Sequence, residues 1–378
     1  NHLQLYMEHT FAYAGHEVVW RDASPLGAAD VTALQARCRA RAIELVPNQN
    51  SFGHMERWLR HDAYAPLAED PQRRLTLCPL DPRTVELMRD LYGQLLPHFD
   101  SRLFNIGCDE TWELGEGRSR EACGQRGRGR VYLEYLQQLS AIVREHGRTP
   151  MFWGDIILKY PELIGELPRD VIALQWGYAA HQPHEEHSRA FAAAGVPFVV
   201  CPGVSGWNSI IGRGEDLLPN MANAVRLARA HGAIGLLVTE WGDNGHWQHW
   251  PVMLPGLVAG AIACGGEAPT EAAVADGISR LLGDAKGRCG RALVALALAQ
   301  ADAGVRVHNN SPLHLLLQRP VDPLPESLTL SAIDGIEQRI GEALRLWNEG
   351  RPARWRPELI DREVRHGAAL ALHACRLG

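Results

Sequence analysis

Leu103-Phe104-Asn105-Ile106-Gly107-Cys108-Asp109-Glu110 is an apolar run that stops on two adjacent acids. A short run of this kind reads as a buried strand, and its end sets the last side chains into a pocket rather than into bulk water. Neighbouring carboxyls in such a place push their proton affinities apart, so one stays ionised while the other holds a proton. Acid-catalysed bond cleavage needs that division. An Asp-Glu pair can equally cap a helix start at the surface; the strand before it and Trp112 after it favour the pocket.

Outward from this run the same pattern repeats. Strand-like stretches at 2–8, 43–48, 103–108, 150–154, 171–176, 197–201 and 234–240 alternate with amphipathic helical stretches near 28–42, 82–98, 130–147, 185–195 and 220–231. That order predicts a parallel sheet covered by helices. Nearly every strand is followed by a polar and aromatic cluster: Glu8-His9, Asn48-Gln49-Asn50, Asp109-Glu110, Trp153 with Asp155, Trp176 with Tyr178, Trp207-Asn208, and Glu240-Trp241 with Asp243-Asn244. A (β/α) barrel gathers its site from the ends of all its strands, whereas an open sheet concentrates it at one switch point. No glycine-rich dinucleotide or phosphate fingerprint follows any strand. The expected fold is therefore α/β, a (β/α)8 TIM barrel over residues 1–267, with seven strands visible and one more needed for closure. Beyond 268 the pattern turns helical at 270–282, 289–302, 328–349 and 357–377, and 268–378 is expected to be a helical C-terminal extension with Trp347 and Trp355 in its core.

Composition narrows the class. The 378 residues are 46% hydrophobic with a net charge of -6, so no nucleic-acid footprint is expected. The basic stretch 118–130 is broken by Gly and acids and reads as a solvated loop. Eight scattered cysteines without a Cys-x-x-Cys pair suit reduced thiols and a cytosol-like compartment, and no stretch has the apolar length of a membrane span. Asn1 opens directly on a strand-like segment without an initiator Met, so the true N-terminus is expected upstream.

Trp153, Trp176, Trp207 and Trp241 fall at four strand ends. Aromatic rings around a pocket suit the weakly polar face of a sugar, while Asp, Asn and His take its hydroxyls. Each ring taken alone can instead be packing. Glycoside cleavage normally uses two carboxyls on opposite sides of the bond. The strand 197–201 supplies no second acid, which favours a nucleophile that comes from the substrate itself. His246 and His249 lie on a Trp-rich loop with poor zinc spacing, so no metal and no cofactor are expected.

At this point the sequence resembles a known family. Asn105 to Glu110 followed by Leu114-Gly115-Glu116-Gly117 is similar to the catalytic signature of the family twenty glycoside hydrolases, the β-N-acetylhexosaminidases, and nearest to the hexosaminidase D branch. Glu44-Leu45-Val46-Pro47 leading to Phe52-Gly53-His54-Met55-Glu56 resembles the third-strand loop of that branch, and Trp153-Gly154-Asp155, Trp176-Gly177-Tyr178 and Thr239-Glu240-Trp241 resemble its later strand ends. The resemblance implies retention by substrate-assisted hydrolysis of terminal N-acetylglucosamine or N-acetylgalactosamine. It implies Glu110 as general acid and base, and Asp109 as the residue that orients the 2-acetamido group. Tyr178 would bond the acetamido oxygen, Trp153, Trp176 and Trp241 would wall the sugar, and Trp207 would shape the outer pocket. His54 is a support for acid or substrate, or a structural donor; Asp155 and Asp243 are hydroxyl binders or structural. The family's first strand and helix, which often bring an Arg to the sugar hydroxyls, are expected to be missing from this chain, since Asn1 to Leu5 resembles the second strand. The expected partner is a small-molecule or oligosaccharide substrate, with no nucleic acid and no membrane, and a homodimer stays open. Two other readings stay open: a carbohydrate-binding barrel without turnover, and a glycosidase for sugars lacking the acetamido group.

Overall fold

The structure, a computed structural model, describes residues 1–301, 303–319 and 328–377. The chain forms two compact units. One comprises Asn1–Gln175 with Glu186–Val199, the other Trp176–Glu185 with Val200–Gly378.

All seven expected strands are present, all but β4 shorter than the apolar run: β1 (His2–Gln4), β2 (Glu44–Val46), β3 (Leu103–Asn105), β4 (Thr149–Trp153), β5 (Ile172–Trp176), β6 (Phe198–Cys201) and β7 (Gly235–Leu236). In the first unit β1 pairs with β2 in parallel, His2 opposite Glu44. Past the end of β2, Asn48 bridges Asn105, with the Asn105 N–H on Pro47 O and the Gln49 N–H on Asn105 O, both at 3.0 Å. β3 then pairs with β4 and β4 with β5, again in parallel. Parallel neighbours need long crossovers, and helices supply them. The helix Pro82–Leu95 starts on Asp81, whose carboxylate accepts from Arg83 N, with Pro82 in the first turn where its missing N–H costs nothing. It buries Leu87, Met88, Leu91, Tyr92 and Leu95, one helical stripe. The helix Arg128–Glu145 carries the chain from β3 to β4 and buries Val131, Tyr132, Tyr135, Leu136 and Leu139.

β3 stops at Asn105, three residues before the sequence pattern ends. Gly107, Cys108 and Glu110 have φ of 70°, 70° and 48°, which no extended ladder accommodates. The acids therefore stand on an irregular turn beyond the strand rather than on the strand itself.

In the second unit Leu237 N–H reaches Val200 O at 3.0 Å, and Gly203 bridges Thr239 in parallel. The helix Gly214–His231 ends on Gly232 at φ 70°, the left-handed cap that glycine adopts without penalty. Helices Trp250–Cys264, Glu271–Leu282, Arg288–Ala297, Pro312–Gln318, Leu330–Glu349 and Pro357–Leu377 follow. They share one apolar core that runs from Ile210 and Leu217 through Leu254 and Ile278 to Ile340 and Cys375. The residues beyond 268 thus pack with residues 200–267. The first of these helices went unrecognised in the sequence because Trp250–Cys264 is apolar all round and contains Pro255. The expected 289–302 helix ends at Ala297, and residue 302 lies outside the described residues. Neither unit by itself closes a ring of strands among the described residues.

Trp347 is 1% exposed and donates from Nε1 to Asp361 Oδ1 at 2.8 Å, a core residue as expected. Trp355, expected in the same core, is 53% exposed. Trp347→Ala should cost about 3–5 kcal/mol in chemical denaturation, from lost apolar contact and the cavity left behind. Trp347→Phe keeps most of the volume and should cost about 1–2 kcal/mol. Equal costs for the two variants would contradict this account of the core.

Candidate active site

Two loops of the first unit lie backbone against backbone. Tyr92 Oη donates to Ser51 Oγ at 2.7 Å, and Phe52 packs on the rings of Tyr132 and Tyr135 at centroid distances of 5.7 and 4.6 Å. These contacts fix the chain just before Gly53. A Cβ on Gly53 would stand 2.2 Å from the carbonyl oxygen of Asp109, so only glycine permits this approach. On the other side, Tyr132 Oη donates to Cys108 O at 3.0 Å and Trp153 N–H to Gly107 O at 2.9 Å. The Glu110 N–H donates to Asp155 Oδ2 at 3.1 Å.

The approach brings His54 between the two acids. Its Nε2 lies 3.3 Å from Asp109 Oδ2 and 3.4 Å from Glu110 Oε2. On the opposite edge, Nδ1 lies 3.8 Å from Glu8 Oε1. Burial opposes a charged imidazole here, but the bonds to Asp109 and Glu110 and the charges of Asp109 and Glu8 outweigh it, and the His54 pKa is pushed up to about 11. Glu8 in turn accepts from Tyr6 Oη at 3.0 Å, and Asn50 Nδ2 donates to the same hydroxyl at 2.8 Å. Burial first, then the charge of Glu56, raises the pKa of Glu8, and burial with the charges of Asp109 and Glu8 raises Tyr6 well above its ordinary value. Three carboxyl groups thus share one imidazolium.

Of the expected site residues in this unit, His54, Asp109, Glu110 and Asp155 come together, with buried Trp153 on the adjoining strand end. Asp155 bonds the backbone of the acid turn. Glu8, Tyr6 and Asn50 join the cluster without having been singled out; Glu8 and Asn50 were visible only as strand-end polar residues. The Leu114 to Gly117 segment is an anchor. A Cβ on Gly117 would stand 2.0 Å from Glu69 O, and Glu69 Oε1 takes the N–H and hydroxyl of Ser119 at 2.9 and 2.6 Å. Trp112 is exposed, with Lys159 Nζ 4.5 Å above its ring.

The second unit holds an aromatic group of its own. Trp176 and Tyr178 stack at 5.2 Å, and Tyr178 meets Trp207 edge-on at 5.0 Å. Trp241 Nε1 donates to Tyr178 Oη at 3.0 Å. Gly203 makes room for the group, since a Cβ there would stand 2.6 Å from Trp207 and 2.9 Å from Tyr178. Trp207 is fully buried, with Nε1 on Asn309 Oδ1 at 2.9 Å. Asp243 opens the exposed turn Asp243–Gly245. Arg213 and Glu240 lie beside the Trp207 turn, Arg213 with its guanidinium carbon 4.8 Å from the Trp207 ring and Glu240 against Gly206; Glu240 appears in the sequence beside Trp241, while Arg213 sits between two glycines with no signal of a role. His249 pairs with His366 at 2.7 Å, and among the described residues no group of three or more His, Cys, Asp or Glu is placed to hold a metal.

A family model, the catalytic domain of glycosyl hydrolase family 20, matches residues 18–207, just over half of the chain. Hexosaminidase D of Bos taurus is 24% identical over 287 residues, covering 70% of this chain and 82% of the bovine protein. Hexosaminidase D of Homo sapiens is 25% identical over 285 residues, covering 70% of this chain and 58% of the human protein. The X-ray structure of a Flavobacterium johnsoniae chitobiase superposes with a TM-score of 0.58 at 14% identity, covering 99% of this chain and 66% of that one. His54, Asp109, Glu110, Trp153, Asp155, Trp176, Tyr178 and Trp207 lie inside the matched stretch, and Trp241 and Asp243 beyond it. The fold is of the TIM-barrel α/β class. The chain belongs to glycosyl hydrolase family 20, a family of glycoside hydrolases.

Proposed function

We propose that this glycoside hydrolase is an exo-β-N-acetylhexosaminidase that acts with retention through an oxazolinium intermediate. The observation that carries the reading is the single His54 Nε2 held 3.3 Å from Asp109 and 3.4 Å from Glu110. Adjacent acids bound to one cation are poised for different tasks on the same sugar. A water-activating pair of an inverting enzyme stands instead on opposite faces, with space for water between the carboxyls.

In the first step the acetamido carbonyl oxygen attacks the anomeric carbon, and the glycosidic bond breaks. Glu110 gives its proton to the leaving oxygen. Asp109 accepts the acetamido N–H and balances the positive charge of the oxazolinium ring. In the second step water attacks the anomeric carbon, Glu110 takes its proton, and the ring reopens to the acetamide. The incoming bond forms on the face from which the leaving group departed, so the β configuration is retained. His54, with its pKa of about 11, remains an imidazolium throughout and keeps the two carboxyls apart in role and in place. Asp155 supports this through the Glu110 backbone. In the second unit the Trp176, Tyr178 and Trp241 group has the flat apolar faces and polar edges that bind sugars, with Tyr178 the candidate donor to an acetamido oxygen and Asp243 a candidate for hydroxyls. The barrel is read as the (β/α)8 form of the family.

Glu110→Gln should lower kcat by about 10²–10⁴ on an alkyl N-acetylglucosaminide, whose leaving group needs a proton, and by far less on a nitrophenyl one. An equal loss on both would remove Glu110 from the role of acid. Asp109→Asn should depress both substrates, because the acetamido nucleophile is no longer oriented; near-normal turnover would reverse that assignment. With the wild-type protein, a nitrophenyl glucoside lacking the acetamido group should be turned over poorly, and parity with the N-acetyl substrate would sink substrate assistance. Sugar binding without any release would identify a binding protein instead.

A further inference from the structure

Arg213 flanks the start of the helix Gly214–His231, and the residue is only 2% exposed. A buried cation at a helix N-terminus is disfavoured twice, by lost hydration and by the positive end of the helix dipole. Its Nε and Nη2 meet no hydrogen-bond acceptor among the described residues. What holds it is stacking and charge. The guanidinium carbon lies 4.8 Å from the centroid of Trp207, and Nη1 lies 3.8 Å from Asp216 Oδ2. Burial draws the Arg213 pKa down, while the charges of Asp216, Glu215, Glu240 and Asp243 oppose it. The other groups facing this cluster are Arg306, 3.6 Å from Asp216, and His314, drawn down to about 4 by burial and then by Arg213.

Glu240 makes a clasp beside it. Its Oε1 accepts from Gln248 Nε2 at 2.8 Å, and the same amide donates to Trp241 O at 3.0 Å. The Gly206 backbone also bonds to the carboxyl, so closely that a Cβ on Gly206 would stand 2.8 Å from Oε1. The carboxyl therefore ties the turn carrying Trp207 to the loop carrying Trp241. An ionised carboxylate accepts such bonds more strongly than a neutral acid. Burial pushes Glu240 up to about 7, against the bonds from Gln248 and Gly206 and the charge of Arg213.

We propose that Arg213 is a positioning residue: its buried charge keeps Glu240 an anion, and the anionic clasp holds Trp207 and Trp241 in the arrangement that binds sugar. The inference rests on the sugar-binding reading given above. KM, kcat and calorimetric sugar affinity measured from roughly pH 5 to 9 on the wild type, Arg213→Met, Arg213→Lys and Glu240→Gln test it. In the wild type KM should worsen on the acid side with a midpoint near 7. Removing the cation raises the proton affinity of Glu240, so in Arg213→Met the midpoint should move up, with KM changed more than kcat. Arg213→Lys should restore most of the shift, and Glu240→Gln should abolish the midpoint. An active Arg213→Met with the wild-type midpoint overturns the proposal, as does a midpoint that survives in Glu240→Gln. The second test stands even where Arg213→Met fails to fold. Because affinity reports the midpoint without turnover, a wild type that binds but does not hydrolyse would overturn only the enzymatic reading.

Discussion

Contact between the backbone at Gly53 and the backbone at Asp109 is the constraint on which the first unit depends. The 2.2 Å separation that a Cβ would suffer there leaves no space for any side chain, so the loop at 52–54 and the turn at 108–110 form one rigid piece. Within that piece His54, Cys108 and Glu110 hold φ of 56°, 70° and 48°. Left-handed backbone at non-glycine residues costs of order 1–3 kcal/mol each and persists only where surrounding bonds over-determine it. Those bonds are present: Tyr132 on Cys108 O, Trp153 on Gly107 O, and Asp155 on Glu110 N. The strain aims Asp109 and Glu110 at one imidazole.

Much of this was legible in the sequence, and the reasons are local. Alternating apolar runs and helical stripes located all seven strands, because burial on both faces forces apolar continuity in a parallel sheet. The acids and Asp155 stood out because chemistry-bearing side chains followed apolar runs, and His54 through the resemblance of its loop to that of the family. What escaped was set by tertiary contact. Glu8 and Tyr6 gain their place from a loop more than forty residues away. β3 ends early because of backbone torsions that a six-residue apolar pattern does not encode. The helix Trp250–Cys264 carries no amphipathic stripe in its sequence, because even its exposed positions, Leu257 and Ala261 among them, are apolar.

The second unit makes a related point about charge. Its aromatic group was visible as scattered tryptophans, but Trp207 proves fully buried, so it orders the group from beneath rather than offering its own face. Arg213, unremarkable in the sequence, lies against that ring with Asp216 Oδ2 3.8 Å from its Nη1. A buried ion of this kind is a poor device for stability alone, because desolvation offsets most of the attraction. The role proposed for it is to hold Glu240 in its charged form.

The central claim, that the acetamido group of the substrate is the nucleophile and Asp109 its orienting partner, is tested most directly by weakening that nucleophile. Aryl N-acetylglucosaminides with a progressively fluorinated acetamido methyl keep nearly the same shape while the carbonyl oxygen loses electron density. The account predicts that kcat/KM falls steeply with each added fluorine in the wild type, and that Asp109→Asn flattens the dependence. A wild-type rate indifferent to fluorination would contradict it.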